Sequence, residues 1–494
     1  LSFPKYGHPA AGWVALAPLL VAVPGLRPRR AFVLGFLTGG VYFWGTLYWL
    51  VAVMTTFGGL NTAAAAGSAT LLIIYLSLYP ALFAGAVAWL SSRYGLWALA
   101  LAPGLWVTTE LGRMYVWSGF PWALLGYSQA TVLPVAQAAS IVGVFGLSFL
   151  IASVSAALAY ATLRRKPLPL AAAVAAVLAI ASWGAWRMST NVLIDEGDPI
   201  RVAVIQANIE QEKKWNPALS DAILERYVSM SRRALADRAQ FVIWPESSTP
   251  FYFENDPRGL RIRTLAQQSR TPLLIGSDQI EPLPLTRQSA AAAAQGPAEH
   301  RIYNAAFLVG PDGSTVGVYR KIHLVPFGEY VPLKRLLFFV GPLVEAVSDF
   351  SPGNTPSTMP VAGRTASVAI CYEVIYPSLI RSFVTAGSDL LTTITNDAWY
   401  GRSSAAYQHW EQATLRAIEE GRYLARAANT GVSGFVDPYG RILAASPLFE
   451  QAVLVADLRF IRARTIYSRT GDLVAWLSLL NSAFWILYSK IKRQ

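Results

Sequence analysis

Cys371 is the single cysteine of the 494-residue chain. It ends the apolar run Ser367–Ile370 and precedes Tyr372 and Glu373. A residue at the C-terminal end of a strand opens onto a turn, where a cysteine thiolate can act as a nucleophile. The same position also suits a buried, inert thiol. Glu246 follows the apolar run Phe241–Trp244 and Pro245. Burial beside apolar groups raises a carboxylate toward a useful general base, although a loop or cap carboxylate reads the same way. Lys321 lies in YRKIHLVPFGEYVP (319–332), where Pro326, Gly328 and Pro332 mark a loop leaving a strand. Its ammonium could hold an oxyanion or be a solvated surface charge. Together, base, cation and thiol could carry out nucleophilic acyl transfer without histidine.

Other chemistries lack their signatures. No Gly-x-Ser-x-Gly elbow, His-Glu-x-x-His or Walker pattern occurs. His300, His323 and His409 share this part of the chain without metal-ligand spacing. Neither a metal nor a cofactor is expected, and one cysteine makes no intramolecular disulfide.

The three residues need strands to carry them. Val202–Gln206, Phe241–Trp244, Pro272–Gly276, Ala305–Val309, Ser367–Ile370, Leu390–Ile394 and Gly431–Val436 read as buried strands. Pro217–Arg238, Pro257–Ser269 and Tyr407–Ala425 read as helices. This alternation argues an α/β or layered α+β domain. Residues 282–300 are low in complexity and read as a surface loop.

The rest of the chain is a membrane protein by composition. The whole chain is 54% hydrophobic and 14% charged, against about 25% charged in soluble proteins, and its mean hydropathy is +0.38. Apolar stretches run over 10–25, 31–53, 67–91, 96–112, 135–162, 168–187 and 472–489, close to the roughly 17–25 residues of a spanning helix. Residues 1–187 hold ten Lys/Arg and one acid, Glu110, whereas 188–489 hold 28 of each sign. The net charge of +12 therefore belongs to membrane loops and a basic tail, and no nucleic-acid partner is implied. Basic residues cluster after alternate spans: Arg27, Arg29 and Arg30; Arg93; Arg164, Arg165 and Lys166; Lys490, Lys492 and Arg493. Basic loops stay cytoplasmic, which puts 188–471 on the outer side. The expected division is 1–187 transmembrane helices, 188–471 catalytic domain, and 472–494 a last helix with a basic cytoplasmic tail.

WPE with Glu246, YRK with Lys321 and CYE with Cys371 resemble the Glu–Lys–Cys triad of the nitrilase superfamily. GFPWALLGYSQ (119–129), HLVPFGEYVP (323–332), NDAWYG (396–401) and RAANTGVSG (426–434) resemble the apolipoprotein N-acyltransferase family, bacterial membrane enzymes that finish lipoprotein maturation. The resemblance runs over nearly the whole chain. It implies a polytopic α-helical membrane domain carrying an α/β nitrilase-like αββα sandwich outside the cytoplasm. The location would be the bacterial cytoplasmic (inner) membrane, with the catalytic domain on the periplasmic side. The family has eight spans where seven are counted here, so the chain is expected to begin inside the family's first helix.

The resemblance further implies roles. Cys371 would be the nucleophile, Glu246 the general base and Lys321 the oxyanion stabiliser. Glu329 would be a second glutamate orienting Lys321, and Tyr372, Glu373 and Asn396 would support the site. Trp215, in KKWNP, matches a tryptophan needed for activity, although it also reads as a packed loop aromatic. The donor would be a membrane phospholipid, with phosphatidylethanolamine implied. The acceptor would be the α-amino group of the diacylglyceryl-bearing N-terminal cysteine of an apolipoprotein. The chemistry would be ping-pong through a Cys371 thioester. Leu333–Phe350 is apolar enough for a lid or membrane-contacting arm, or for an ordinary packed helix. Two rivals are a membrane-tethered nitrilase-type amidase and a transporter with an outer binding domain. The second is disfavoured, because Glu110 and Arg113 near one span end are the only candidate intramembrane ionisable pair found.

Overall fold

The computed structural model describes residues 2–282, 300–326, 328–330 and 350–491. The low-complexity segment and the apolar arm Leu333–Phe350 therefore lie almost wholly outside the described residues.

The N-terminal part is helical: α1 (Pro28–Leu47), α2 (Thr62–Tyr94), α3 (Ala102–Tyr115), α4 (Ala139–Arg164) and α5 (Leu168–Thr190). Four runs among the described residues are long and apolar enough to cross a membrane: Thr62–Tyr115, Ala139–Arg164, Leu168–Asp195 and Leu473–Ile491. Pro28–Leu47 with Trp49–Thr56, bent by 53°, makes a fifth. Six of the seven expected stretches fall on these runs. Two share Thr62–Tyr115, whose ends α2 and α3 pack on each other around the break at Gly95. The first stretch differs: it forms two short helices, Ala10–Val14 and Ala17–Ala22. Helices α1 and α2 approach closely through Gly35 and Gly39, where an added Cβ would meet Pro80 O at 2.4 Å and Ser77 Cα at 2.8 Å. Small residues four apart permit such packing where no water drives helices together. Helix α5 has a single buried residue, Gly184, in the protein alone, as an apolar helix facing lipid would.

From Asp198 the chain becomes α/β. The first sheet holds β1 (Asp198–Gln206), β2 (Phe241–Ile243), β3 (Leu273–Pro282), β4 (His300–Val309), β5 (Thr315–Arg320) and β12 (Ala452–Phe460), in order β12-β1-β2-β3-β4-β5. The second holds β6 (Thr358–Val361), β7 (Arg364–Ile370), β8 (Leu390–Thr395), β9 (Leu424–Ala428), β10 (Gly434–Val436) and β11 (Ile442–Ala445), in order β11-β10-β9-β8-β7-β6. The strands nearest the site, β1-β2-β3 and β7-β8-β9, run parallel. Alternation along β1 shows why their sequences are apolar throughout. Val202 and Val204 face the second sheet in one core with Val368 and Ile370. Ala203 and Ile205 face α6 (Ser220–Ala236) and α7 (Gly259–Ser269) in another. Strands buried on both faces lose the polar alternation. On the far side lie α8 (Pro377–Thr385) and α9 (Ala405–Glu420), and α10 (Leu473–Ile491) returns to the helical part. The layers are thus αββα, with α9 seated directly on α4.

Each expected strand overlaps an observed one. The expected helix Tyr407–Ala425 is too long: α9 ends at Glu420, Gly421 takes φ +62° as a left-handed cap, and the chain re-enters a sheet at Leu424. Strand β9 was hidden by that overlong helix, and β5, β6, β11 and β12 were not among those expected either, being short, at sheet edges or partly exposed.

Candidate active site

Strand ends gather the polar residues. Glu246 lies just past β2, Lys321 just past β5, Cys371 just past β7 and Asn396 just past β8. The Glu246 carboxylate accepts from Asn304 Nδ2 at 2.7 Å and Lys321 Nζ at 3.3 Å through Oε1, and from the Asn396 N–H at 2.8 Å through Oε2. Lys321 Nζ donates to Glu329 Oε1 at 2.8 Å, and Asn304 Nδ2 reaches the same oxygen at 2.9 Å. Glu329 Oε2 accepts the Val325 N–H at 2.8 Å, which folds the loop after Lys321 back onto itself. Lys321 and Glu246 are both buried, so this is a charge network sealed from water.

The electrostatics follow from that sealing. Burial alone would raise the Glu246 carboxyl, but Lys321, Asn304, Lys214 and the Asn396 N–H outweigh it and hold the pKa below its ordinary value. Burial likewise opposes the Lys321 charge, yet Glu246, Glu329 and Cys371 keep its pKa raised. Burial and then Glu246 push the Cys371 thiol up, against Lys321 and a hydrogen bond with the Thr395 side chain. Glutamate and lysine are therefore held charged and the thiol neutral.

Cys371 adopts φ +53°, in the left-handed region that β-carbon residues enter only under constraint. Two side chains supply that constraint. Glu373 Oε2 accepts the Ile370 N–H at 2.7 Å. Its Oε1 accepts Tyr319 Oη at 2.7 Å, Ile322 N at 2.6 Å and His323 N at 3.2 Å, tying the cysteine turn to the lysine loop. Burial still raises the Glu373 carboxyl to about 7. From the other side His409 Nε2 lies 3.1 Å from the Cys371 carbonyl. The His409 ring is held in turn by Asp397 (3.0 Å), itself bonded to Arg426 and Thr395.

The helical part closes the site from below. Tyr376 Oη donates to Gly119 O at 3.2 Å, and the Tyr372 ring packs between Phe120 and Tyr376. Trp122 Nε1 donates to Gln408 Oε1 at 2.7 Å and its ring lies on His409. This loop is fixed within the helical part by Glu110, which accepts the Leu125 N–H at 2.7 Å, and by Arg113, which donates to Trp122 O at 2.9 Å.

Of the expected site residues, Glu246, Lys321, Glu329, Cys371, Tyr372, Glu373 and Asn396 thus come together. Trp215 does not enter this network; it stands half exposed at the end of a short helix. Its neighbour Lys214 points inward instead, with Nζ 3.1 Å from the Glu246 carbonyl. Sequence reasoning missed Lys214, Asn304 and His409. Among the described residues no group of three or more His, Cys, Asp or Glu is placed to hold a metal ion.

An αββα sandwich with this strand-end constellation, joined to a bundle of apolar helices, defines a membrane-embedded protein of the nitrilase type. Residues 201–467 match the family model for carbon-nitrogen hydrolases, and residues 1–157 match that for the apolipoprotein N-acyltransferase N-terminal domain. An apolipoprotein N-acyltransferase from Geobacter metallireducens is 40% identical over 490 residues, covering 98% of this chain and 91% of the relative. One from Methylococcus capsulatus is 34% identical over 481 residues, covering 95% and 90%. Among solved structures, a mutant amidase of the nitrilase superfamily from Nesterenkonia AN1 is 22% identical, covers 57% of this chain and 97% of its own, and has a TM-score of 0.41. The chain belongs to the apolipoprotein N-acyltransferase family.

Proposed function

We propose that the protein moves an acyl chain from a membrane phospholipid to the α-amino group of the lipid-modified N-terminal cysteine of an apolipoprotein, through a thioester on Cys371. The observation that carries this reading is the sealed Glu246–Lys321–Glu329 network beside Cys371, held over a helical membrane part by Trp122 and Tyr376. Glu246 takes the thiol proton as sulfur attacks the ester carbonyl. Lys321 and the Tyr372 N–H hold the oxyanion. The C–O bond breaks, the proton passes from Glu246 to the leaving oxygen, and lysophospholipid departs. The acceptor amine then attacks the thioester and gives a proton to Glu246. The C–S bond breaks, and the proton returns to the thiolate.

Holding Glu246 ionised and Cys371 protonated suits this sequence, because the proton moves only when a carbonyl is present. In this reading Glu329, Glu373 and Asn396 position the triad, and Tyr372 and Trp215 are assigned to substrate contact. Residues 188–471 form the catalytic domain on the periplasmic side of the inner membrane. Residues 1–187 and 472–494 provide the spans, an orientation supported by the alternating basic loops. Both substrates carry their acyl chains in the bilayer, which accounts for a catalytic domain seated on membrane helices. The test is transfer in detergent micelles containing phosphatidylethanolamine and a synthetic diacylated lipopeptide. The peptide should gain one amide-linked acyl chain. Release of free fatty acid at an equal rate with and without the peptide would favour a hydrolase of the amidase type.

A further inference from the structure

Lys214 is 2% exposed although it ends the charged run Glu210–Lys214. Its Nζ donates to the Glu246 carbonyl at 3.1 Å, and three residues earlier Gln211 Oε1 accepts from Asn396 Nδ2 at 2.7 Å. The segment therefore meets Glu246 directly through Lys214, and through Gln211 it meets Asn396, whose N–H binds the Glu246 carboxylate. That stretch of main chain is tightly built. Gly276 of β3 lies so close beneath it that an added Cβ would stand 2.4 Å from Pro245 O and 2.7 Å from Glu246 Cα. Ser247 follows at φ +45°, a conformation that persists only where neighbours impose it. Ser248 donates to Gly276 O from one side, and Lys214 holds the carbonyl of the Glu246–Ser247 peptide from the other.

The charge matters as well as the hydrogen bond. The groups facing Lys214 are Glu246, Asp278 and Cys371; burial pulls its pKa down to about 8 against all three. Glu246 in turn is faced by two cations, Lys321 and Lys214, by the Glu329 carboxylate that shares Lys321 and the Asn304 amide with it, and by three groups that become negative on ionising, Cys371, Asp278 and Tyr400.

We infer that Lys214 is a positioning residue of the acyl-transfer site, fixing the Glu246 main chain and serving as the second cation that keeps the Glu246 carboxylate ionised. The inference rests on the reading of Glu246 as the base for Cys371. It gives the segment before Trp215 a task that the exposed indole does not perform.

The test measures acyl-enzyme formation against pH, by intact mass, on the full chain in micelles with phosphatidylethanolamine. The proteins are wild type, Lys214→Met, Lys214→Gln and Glu246→Gln. Methionine removes donor and charge; glutamine keeps an N–H donor and removes only the charge. In both Lys214 variants the acid limb should move up by about one pH unit, a tenfold smaller ionised fraction on the limb. The phospholipid KM should stay within about twofold of wild type, since no substrate contact is lost. Lys214→Met should also be slower than Lys214→Gln on the plateau. An unmoved acid limb in either folded variant overturns the inference, and so does loss of fold in both, which would make Lys214 a packing residue. Glu246→Gln separates the two levels. If it acylates like the wild type, the reading of the base fails. If it is inactive while the Lys214 variants keep the wild-type limb, only the role of Lys214 fails.

Discussion

Glu246 sits at the strand ends with both carboxylate oxygens engaged, whereas Glu419 lies on α9 at the junction with the membrane helices. Glu419 Oε1 accepts the Val144 N–H at 2.8 Å, and Oε2 forms an ion pair with Arg416 at 3.1 Å. Both side chains are buried, yet they titrate in opposite directions. Glu246 is pulled below its ordinary pKa, while burial, helped by Glu420 and Asp472, raises Glu419 to about 8 against the pull of Arg416. Glu420 is also raised, to about 7, chiefly by burial. The difference lies in the neighbours. The site surrounds Glu246 and Glu329 with two lysines, an asparagine and main-chain N–H groups. The junction crowds Glu419, Glu420 and Asp472 around Arg416. Among the described residues, Arg416 Nε and Nη1 and Glu420 Oε1 have no hydrogen-bond partner. Burial sets the stakes, and the count of donors and cations decides which protonation state the fold keeps.

The same substitution at both glutamates sharpens the contrast. Glu246→Gln should lower acyl-enzyme formation by about 10²–10⁴-fold, the usual contribution of a positioned base. Glu419→Gln should leave it nearly intact, because glutamine keeps an oxygen for the Val144 N–H and lies away from the Glu246–Lys321–Cys371 cluster. Rates of acylation by intact mass decide. A dead Glu419→Gln with an active Glu246→Gln would invert the account.

Lys321→Arg should cost about 10²-fold although the charge is kept. A planar guanidinium cannot take the place of a compact ammonium between Glu246 and Glu329, and about 1 Å of displacement is enough for that loss. A variant with near-normal transfer would show that the network tolerates any cation.

The smallest effect is on stability. Glu419 is raised from 4.5 to about 8 and Glu420 from 4.5 to about 7. Between those limits the folded protein holds protons that the unfolded chain has lost, so stability falls as pH rises from about 5 to 8. The double variant Glu419→Gln/Glu420→Gln should flatten that fall in thermal melts of the solubilised protein. A melting curve with the same pH slope would mean that the two carboxyls are ionised in the folded state.

Much of the site was legible because strands announce their own ends. Phe241–Trp244, ended by Pro245 just before Glu246, and Ser367–Ile370 before Cys371 are short apolar runs, and both are buried. The membrane helices were legible from apolar length and from the near absence of acids. Asn304 was not, because it becomes a site residue only when the pairing of β3, β4 and β5 sets it beside Glu246 and Lys321. Lys214 was hidden because EQEKK reads as a solvated helix face. His409 reads as one polar residue on an amphipathic helix, and its meaning depends on a contact with Cys371 38 residues away. The overlong helix through Ala425 arose because Arg422 and Arg426 look like surface charges, whereas both are buried and their guanidinium groups bind main-chain carbonyls, Arg426 also binding Asp397.

The central claim is that Cys371 carries the acyl chain. The direct measurement is the intact mass of the full chain after incubation with phosphatidylethanolamine and no acceptor. One acyl chain should appear, located on Cys371, absent from Cys371→Ala and removed by neutral hydroxylamine. Added diacylated lipopeptide should discharge it faster than water does. Transfer to the lipopeptide with no adduct ever present on Cys371, under conditions of demonstrated turnover, would contradict the account and mean that the acyl chain passes directly between substrates.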